Sequence, residues 1–148
     1  MEANKKAFIV ERTDIKPHIG TVRGGHPNIL AYGFLKEKLV VKPGQEIHFL
    51  IALDEIRPGG GIAEHYHANE SIFHHVYYVI SGKIMATVGD IEKTVGSDTV
   101  IYCQSNVKHS IKNTGKSIAK VLRMSAQSEP DDPVTFILSK KISEDEKK

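Results

Sequence analysis

Residues 58–82 read PGGGIAEHYHANESIFHHVYYVISG and place four of the chain's eight histidines within eleven residues. His65 and His67 are separated by one residue, so an extended strand puts both imidazoles on one face, roughly 7 Å apart along the chain. Two ligands of one metal ion span that distance. The segment that follows, FHHVYYVI, combines aromatic and β-branched side chains and predicts a strand over residues 73–80, closed by a Ser81-Gly82 turn. His74 and His75 are neighbours, so a strand sends them to opposite faces and only one looks into a core.

The pattern of short strands extends in both directions from this stretch. Residues 45–56 (QEIHFLIALDEI) alternate, with Ile47, Phe49, Ile51 and Leu53 on one face and His48 and Asp54 on the other. That apolar face is expected to be covered, either by a second sheet of the same chain or by another subunit. Residues 29–41 mix aromatic and branched side chains ahead of a Lys42-Pro43-Gly44 turn. Downstream, residues 83–88, 91–95, 100–103, 108–113 and 118–125 read as short strands with Gly-, Asn- and Asp-containing turns between them. Residues 7–12 (AFIVER) predict an opening strand, 14–28 a loop, and 134–138 a last apolar patch before a charged tail. Strands at intervals of roughly ten residues, with no long helical period, predict an all-β sandwich or barrel. The expected organisation is one domain: an N-terminal strand and loop arm (1–44), a barrel core (45–125), and a C-terminal strand with a charged tail (126–148).

Composition narrows the function classes. A chain of 148 residues folds as a single unit that buries about two-thirds of the surface its unfolded form exposes. Twenty Lys and Arg against eighteen Asp and Glu give no electrostatic case for nucleic acid or an anionic membrane. Cys103 is the single cysteine, which excludes an internal disulfide and suits a reducing cytosol. The N-terminal MEANKKAFIVERTD lacks the apolar core of a signal peptide, and no apolar run approaches the ~20 residues of a membrane span. The expectation is a cytoplasmic protein with a small-molecule substrate, and neither nucleic acid nor membrane as partner.

Two segments together resemble the cupin superfamily of small jelly-roll barrels. The family's first motif, G-x5-H-x-H-x3-4-E-x6-G, is similar to the run from Gly59 through His65-Tyr66-His67 to Gly82. Its second motif, G-x5-P-x-G-x2-H-x3-N, is similar to IYCQSNVKHSIKNTG, in which His109 and Asn113 match. The resemblance covers residues 45–124 and implies a jelly-roll β-barrel, the double-stranded β-helix. Counting back from Gly82, His75 stands where the family has its glutamate, and seven residues rather than three or four separate it from His67. Glu70 lies inside that longer loop. In the second motif Gln104 and Asn106 replace the usual Pro and Gly, and the leading Gly is displaced.

The resemblance implies metal ligation by His65, His67 and His109, and the register to Gly82 adds His75, with Tyr77 and Val79, to the inward face. Four neutral imidazoles suit one divalent transition metal (Zn, Fe, Ni, Cu, Co or Mn) and not the oxygen-seeking Mg or Ca. Without a carboxylate ligand the site keeps more positive charge, favouring Lewis-acid activation of a bound water or substrate oxygen. Tyr77 is a candidate hydrogen-bond donor to substrate, and Glu70 a candidate ligand or general base. His18, His26 and His48 read as ordinary surface or core histidines, and Cys103 as a small buried side chain. The function implied is an enzyme acting on a diketone, phenolic compound or organic acid, as a dioxygenase or as a Lewis-acid lyase, isomerase or cyclase. The alternative is a non-catalytic cupin that binds a metal or small ligand. Single-domain members of the family commonly dimerise, so a homodimer is expected.

Overall fold

The computed structural model describes residues 7–19, 28–67, 73–127 and 135–137; the side chains of residues 41, 67, 73 and 135–137 lie outside that description. Eleven strands follow in order: β1 (His18–Ile19), β2 (Ile29–Lys42), β3 (Gln45–Ile56), β4 (Gly61–His67), β5 (Phe73–Ser81), β6 (Ile84–Val88), β7 (Ile91–Val95), β8 (Thr99–Gln104), β9 (His109–Asn113), β10 (Ala119–Gln127) and β11 (Thr135–Ile137). They form two antiparallel sheets, ordered β1-β2-β3-β10-β5-β8 and β11-β4-β9-β6-β7. The strands that the alternating pattern predicts from residue 29 onward are all present, with ends shifted by one or two residues. No helix among the described residues is long and apolar enough to cross a membrane.

The sheets enclose one apolar cluster, to which Ile29, Ile56, Tyr77, Val79, Ile101, Ala119 and Val121 come from the first and Ile62, Ile84, Ala86 and Ile111 from the second. This is the double-stranded β-helix arrangement, the jelly-roll class expected from the sequence. Gly82 turns β5 toward β6 with φ of 95°, which an L side chain resists. A Cβ there would also stand 2.7 Å from the Ala119 Cα.

One expectation is corrected and one is narrowed. Residues 7–11 carry no regular structure, and Arg12–Asp14 form a single 3-10 turn in place of an opening strand. Beside β2 the sheet edge is taken by β1, with His18 opposite Ala31. Arg12 fixes the arm instead, through Glu55 at 3.3 Å and the Tyr32 hydroxyl at 3.2 Å, with its guanidinium over the Tyr32 ring. On β3 one of the two expected covers is ruled out: the row Ala52, Asp54 and Ile56 is buried inside the barrel, while on the apolar face Leu53 is 8% exposed and Ile47 and Phe49 are 37% and 38% exposed, so the second sheet is not its cover. Alternation marks two faces but does not say which is inner. Asp54 is buried because β10 supplies its counter-ion, Arg123.

Candidate metal centre

Three buried histidines converge from the two sheets. On β5 the strict alternation buries His75, Tyr77 and Val79 and leaves His74 exposed, as the register to Gly82 predicts. His74 lies outside the barrel, hydrogen-bonded to the Tyr102 hydroxyl at 2.6 Å. On the opposite sheet His65 of β4 pairs directly with His109 of β9, and their rings lie 4.1 Å apart. The His75 ring meets the edge of His109 at 5.6 Å.

A bulge sets the position of His65. Ile62 pairs with Ile111 and His65 with His109, so β4 spends three residues where β9 spends two. The extra residue reverses the in–out alternation, and Ile62 and His65, of opposite parity, are both buried. Just before the bulge, Gly61 lets β4 approach β9 so closely that any Cβ would collide with the Ile111 carbonyl.

Backbone carbonyls set the imidazole tautomers. His65 Nδ1 lies 2.6 Å from the Ala63 carbonyl and His109 Nδ1 lies 2.9 Å from the Val107 carbonyl. A carbonyl only accepts, so each neutral ring donates from Nδ1 and presents a lone pair at Nε2, the arrangement metal-binding histidines use. Burial holds His65 below the usual histidine range, against the opposing pull of the Ala63 carbonyl. Burial, reinforced by the neighbouring His65, pushes His109 down to about 4. Both therefore stand as neutral donors near pH 7.

The donor set fits a transition metal. His75, Cys103 and His109 offer ligand atoms that all lie within 4.8 Å of one another, a group that could hold a metal ion. Imidazole nitrogen and a thiol are suited to Zn, Cu, Fe, Ni or Co, and poorly suited to Mg or Ca. Cys103 sits opposite His75 on β8. Burial pushes its thiol up to about 12, so it stays protonated at neutral pH unless a cation displaces the proton. Tyr77 packs against His75 with ring centroids 4.3 Å apart. Burial, assisted by Cys103 and Asp54 and opposed by Arg123, raises its phenol well above the usual value. It is therefore a hydrogen-bond donor and not a base.

The motif departures have a local explanation. Asp98 and Asn106 are the two non-glycine residues with positive φ among those described, 59° and 66°. They occupy the two positions at which the family's second motif has glycine, and Asp and Asn are the side chains that best tolerate this region. By the motif's spacing the leading position is filled by Asp98. Asn113 is structural. It donates to the Ile56 and Ser117 carbonyls, both at 2.8 Å, and accepts from the Gly115 N–H. Its backbone bonds Gly59 and Gly60, which ties the two motifs together.

Of the residues singled out in the sequence, His65, His75, His109 and Tyr77 are brought together. His67 ends β4 with its backbone opposite Thr135, and its side chain lies outside the described residues, as does all of Glu70. The sequence reading missed three neighbours of the site. Cys103 shares strand parity with buried Ile101, and that parity was the available signal. Asp54 and Arg123 are 69 positions apart, and no local pattern joins them.

Comparison with known proteins agrees with this fold. The chain is similar to the polyketide cyclase RemF from Streptomyces resistomycificus, with 21% identity and a TM-score of 0.67 over 93% of this chain and 91% of that one. It is also similar to a predicted oxalate decarboxylase from Thermotoga maritima, with 20% identity and a TM-score of 0.64 over 80% and 97% of the two chains. A third likeness is to a double-stranded β-helix protein from Klebsiella pneumoniae, at 16% identity, a TM-score of 0.62, and 93% and 96% coverage. At these identities the likeness is one of fold. No curated protein matches the chain. The family model for the cupin domain matches residues 52–125, half of the 148-residue chain, and the protein belongs to the cupin family.

Proposed function

We propose that this cupin is a metal-dependent enzyme that acts on a small, oxygen-rich organic substrate (a diketone, phenolic compound or organic acid) as a Lewis-acid lyase, isomerase or cyclase. The metal is a divalent transition ion held by His65, His67, His75 and His109, with His67 assigned on its sequence spacing alone. The observation that carries the reading is the convergence of His65, His75 and His109 inside the barrel, two of them with Nδ1 turned to a backbone carbonyl. The names of two structural neighbours refer to a polyketide and to oxalate, both oxygen-rich compounds, which supports the substrate class.

A divalent ion bound there supplies Lewis-acid polarisation of a substrate oxygen. The remaining work falls to the chain. His65 and His109 hold their lone pairs in fixed directions, so little reorganisation accompanies ligation. Tyr77 keeps its proton and can donate to a developing oxyanion. The apolar cluster beneath Tyr77 keeps water from that side of the site.

The test is to load the purified protein with Zn, Fe or Cu and offer diketones, phenols and organic acids while reading product and oxygen together. Conversion without oxygen uptake is the expected result. Uptake that accompanies conversion moves the activity to a dioxygenase, and bound metal without conversion of any substrate leaves a binding module.

A further inference from the structure

The outward faces of the two sheets carry different chemistry. On the second sheet the outward rows are Lys112–Met85–Thr94 and Ser110–Thr87–Glu92, polar at every position but one, as suits an antiparallel face that meets water. On the first sheet the outward row that crosses five strands reads Leu35–Ile51–Met124–Val76–Tyr102 and holds no charge. The row on one side of it, through Leu53, Leu122, Tyr78 and Val100, is also uncharged. On the other side stand Phe49 and, toward the hairpin turn, the Leu39–Ile47 pair. Leu39, Ile47, Phe49, Val100 and Tyr102 are exposed, and Ile51, Met124 and Val76 between them are half-buried.

With strands about 4.8 Å apart and outward rows about 6.8 Å apart, this face measures about 20 Å on each edge, a footprint of roughly 400 Å². A monomer leaves apolar patches of about that size bare only at the top of its ordinary range, and they commonly serve a function. The patch also has the layout of an interface core, because polar groups border it: Glu37, His74 and Gln104 along one side, Glu55 and Lys120 along the other. Core and border together reach the roughly 600–1,000 Å² per partner of a stable dimer. A charge-free sheet face is complementary to itself, since a second copy brings no like charge against the centre. The formal net charge of +2 per chain adds little repulsion at longer range.

We infer that the outward face of the first sheet, centred on Ile51, Met124 and Val76, is the docking surface for a second copy of this chain, with two such sheets packed face to face about a two-fold axis. One patch then serves both partners, as a two-fold contact requires, and stacked sheets of this kind lie about 10 Å apart. Each barrel keeps its own apolar cluster, so the association is between chains already folded. His75 and Val76 are neighbours on β5 and face opposite ways. The docking surface therefore lies across the sheet from the histidines, and it stands or falls separately from the metal reading.

The test is sedimentation of the full chain across a wide range of concentration, with circular dichroism to confirm that each variant is folded. Met124→Lys puts a charge at the centre of the patch, on a stem long enough to reach water when the chain is alone. Phe49→Glu does the same at an exposed position, and keeps the test decisive if Met124→Lys fails to fold. Thr87→Lys, on the outward face of the second sheet, is the control. The expected result is twice the chain mass for wild type and for Thr87→Lys, and dissociation constants weaker by about thirtyfold or more for the two patch variants. A wild-type chain that stays monomeric at every concentration overturns the inference and assigns the cover of this face to another part of the same chain. A dimer that survives both patch variants, or one that Thr87→Lys abolishes, overturns it by placing the contact elsewhere.

Discussion

The two ends of the barrel interior are made by the same strands with opposite chemistry. At one end Ile56, Val79, Ile84, Ala119 and Val121 are completely buried and apolar. Four residues further along β5 and β10 stand His75 and Ser125, with Cys103 beside them and His65 and His109 opposite. Both ends are buried, so burial alone does not separate them. The apolar end gains free energy from burial. The histidine end spends it, because each imidazole there is held neutral against its tendency to protonate. This fold gathers its stability at one end and supports an unfavourable polar cluster at the other.

The largest expected effect tests that division directly. Ile84→Ala, in the centre of the apolar end, should lower unfolding free energy by about 2–5 kcal/mol, read by urea denaturation. The metal stoichiometry of the protein that remains folded should not change.

Next in size is the response to acid. His109 titrates at about 4 when folded and near 6.5 when unfolded. Between those values the unfolded chain binds a proton that the folded chain does not, so stability falls as pH falls. The contribution is complete above about pH 6.5 and amounts to roughly 3 kcal/mol across the window. Metal-free protein should therefore lose stability from pH 6.5 toward pH 4, and His109→Leu should flatten the curve. An unchanged slope would mean that His109 is not the group responsible.

Cys103→Ala sharpens the comparison from the polar side. Under the four-histidine assignment the variant keeps its metal and loses about 1–2 kcal/mol for the small cavity. Loss of metal would make the thiol a ligand. The smallest effect belongs to the outer surface, where Phe49→Ser should change stability by less than about 1 kcal/mol and leave metal content alone.

Much of this architecture is written in local pattern. The alternation of FHHVYYVI groups His75 with Tyr77 and Val79, the motif register to Gly82 turns that row inward, and the paired motifs bring His109 to the same barrel. What the sequence conceals is non-local or depends on one inserted residue. The β4 bulge puts Ile62 and His65 on one side although their spacing says otherwise. β3 shows two clear faces, yet the choice of inner face follows from Asp54 meeting Arg123 on another strand. Asp98 and Asn106 conceal glycine positions because Asn and Asp enter the left-handed region at modest cost. Residues 7–12 look like a strand by composition, but the edge of the sheet beside β2 is already taken by β1.

The central claim is that the converging histidines form a metal site. The direct measurement is metal content per chain after loading and desalting, for wild type, His75→Ala and His109→Ala, with circular dichroism to confirm that each is folded. A single divalent transition ion per wild-type chain is expected, with its loss in both variants. A wild-type protein that retains none, or variants that retain as much as wild type, would contradict it.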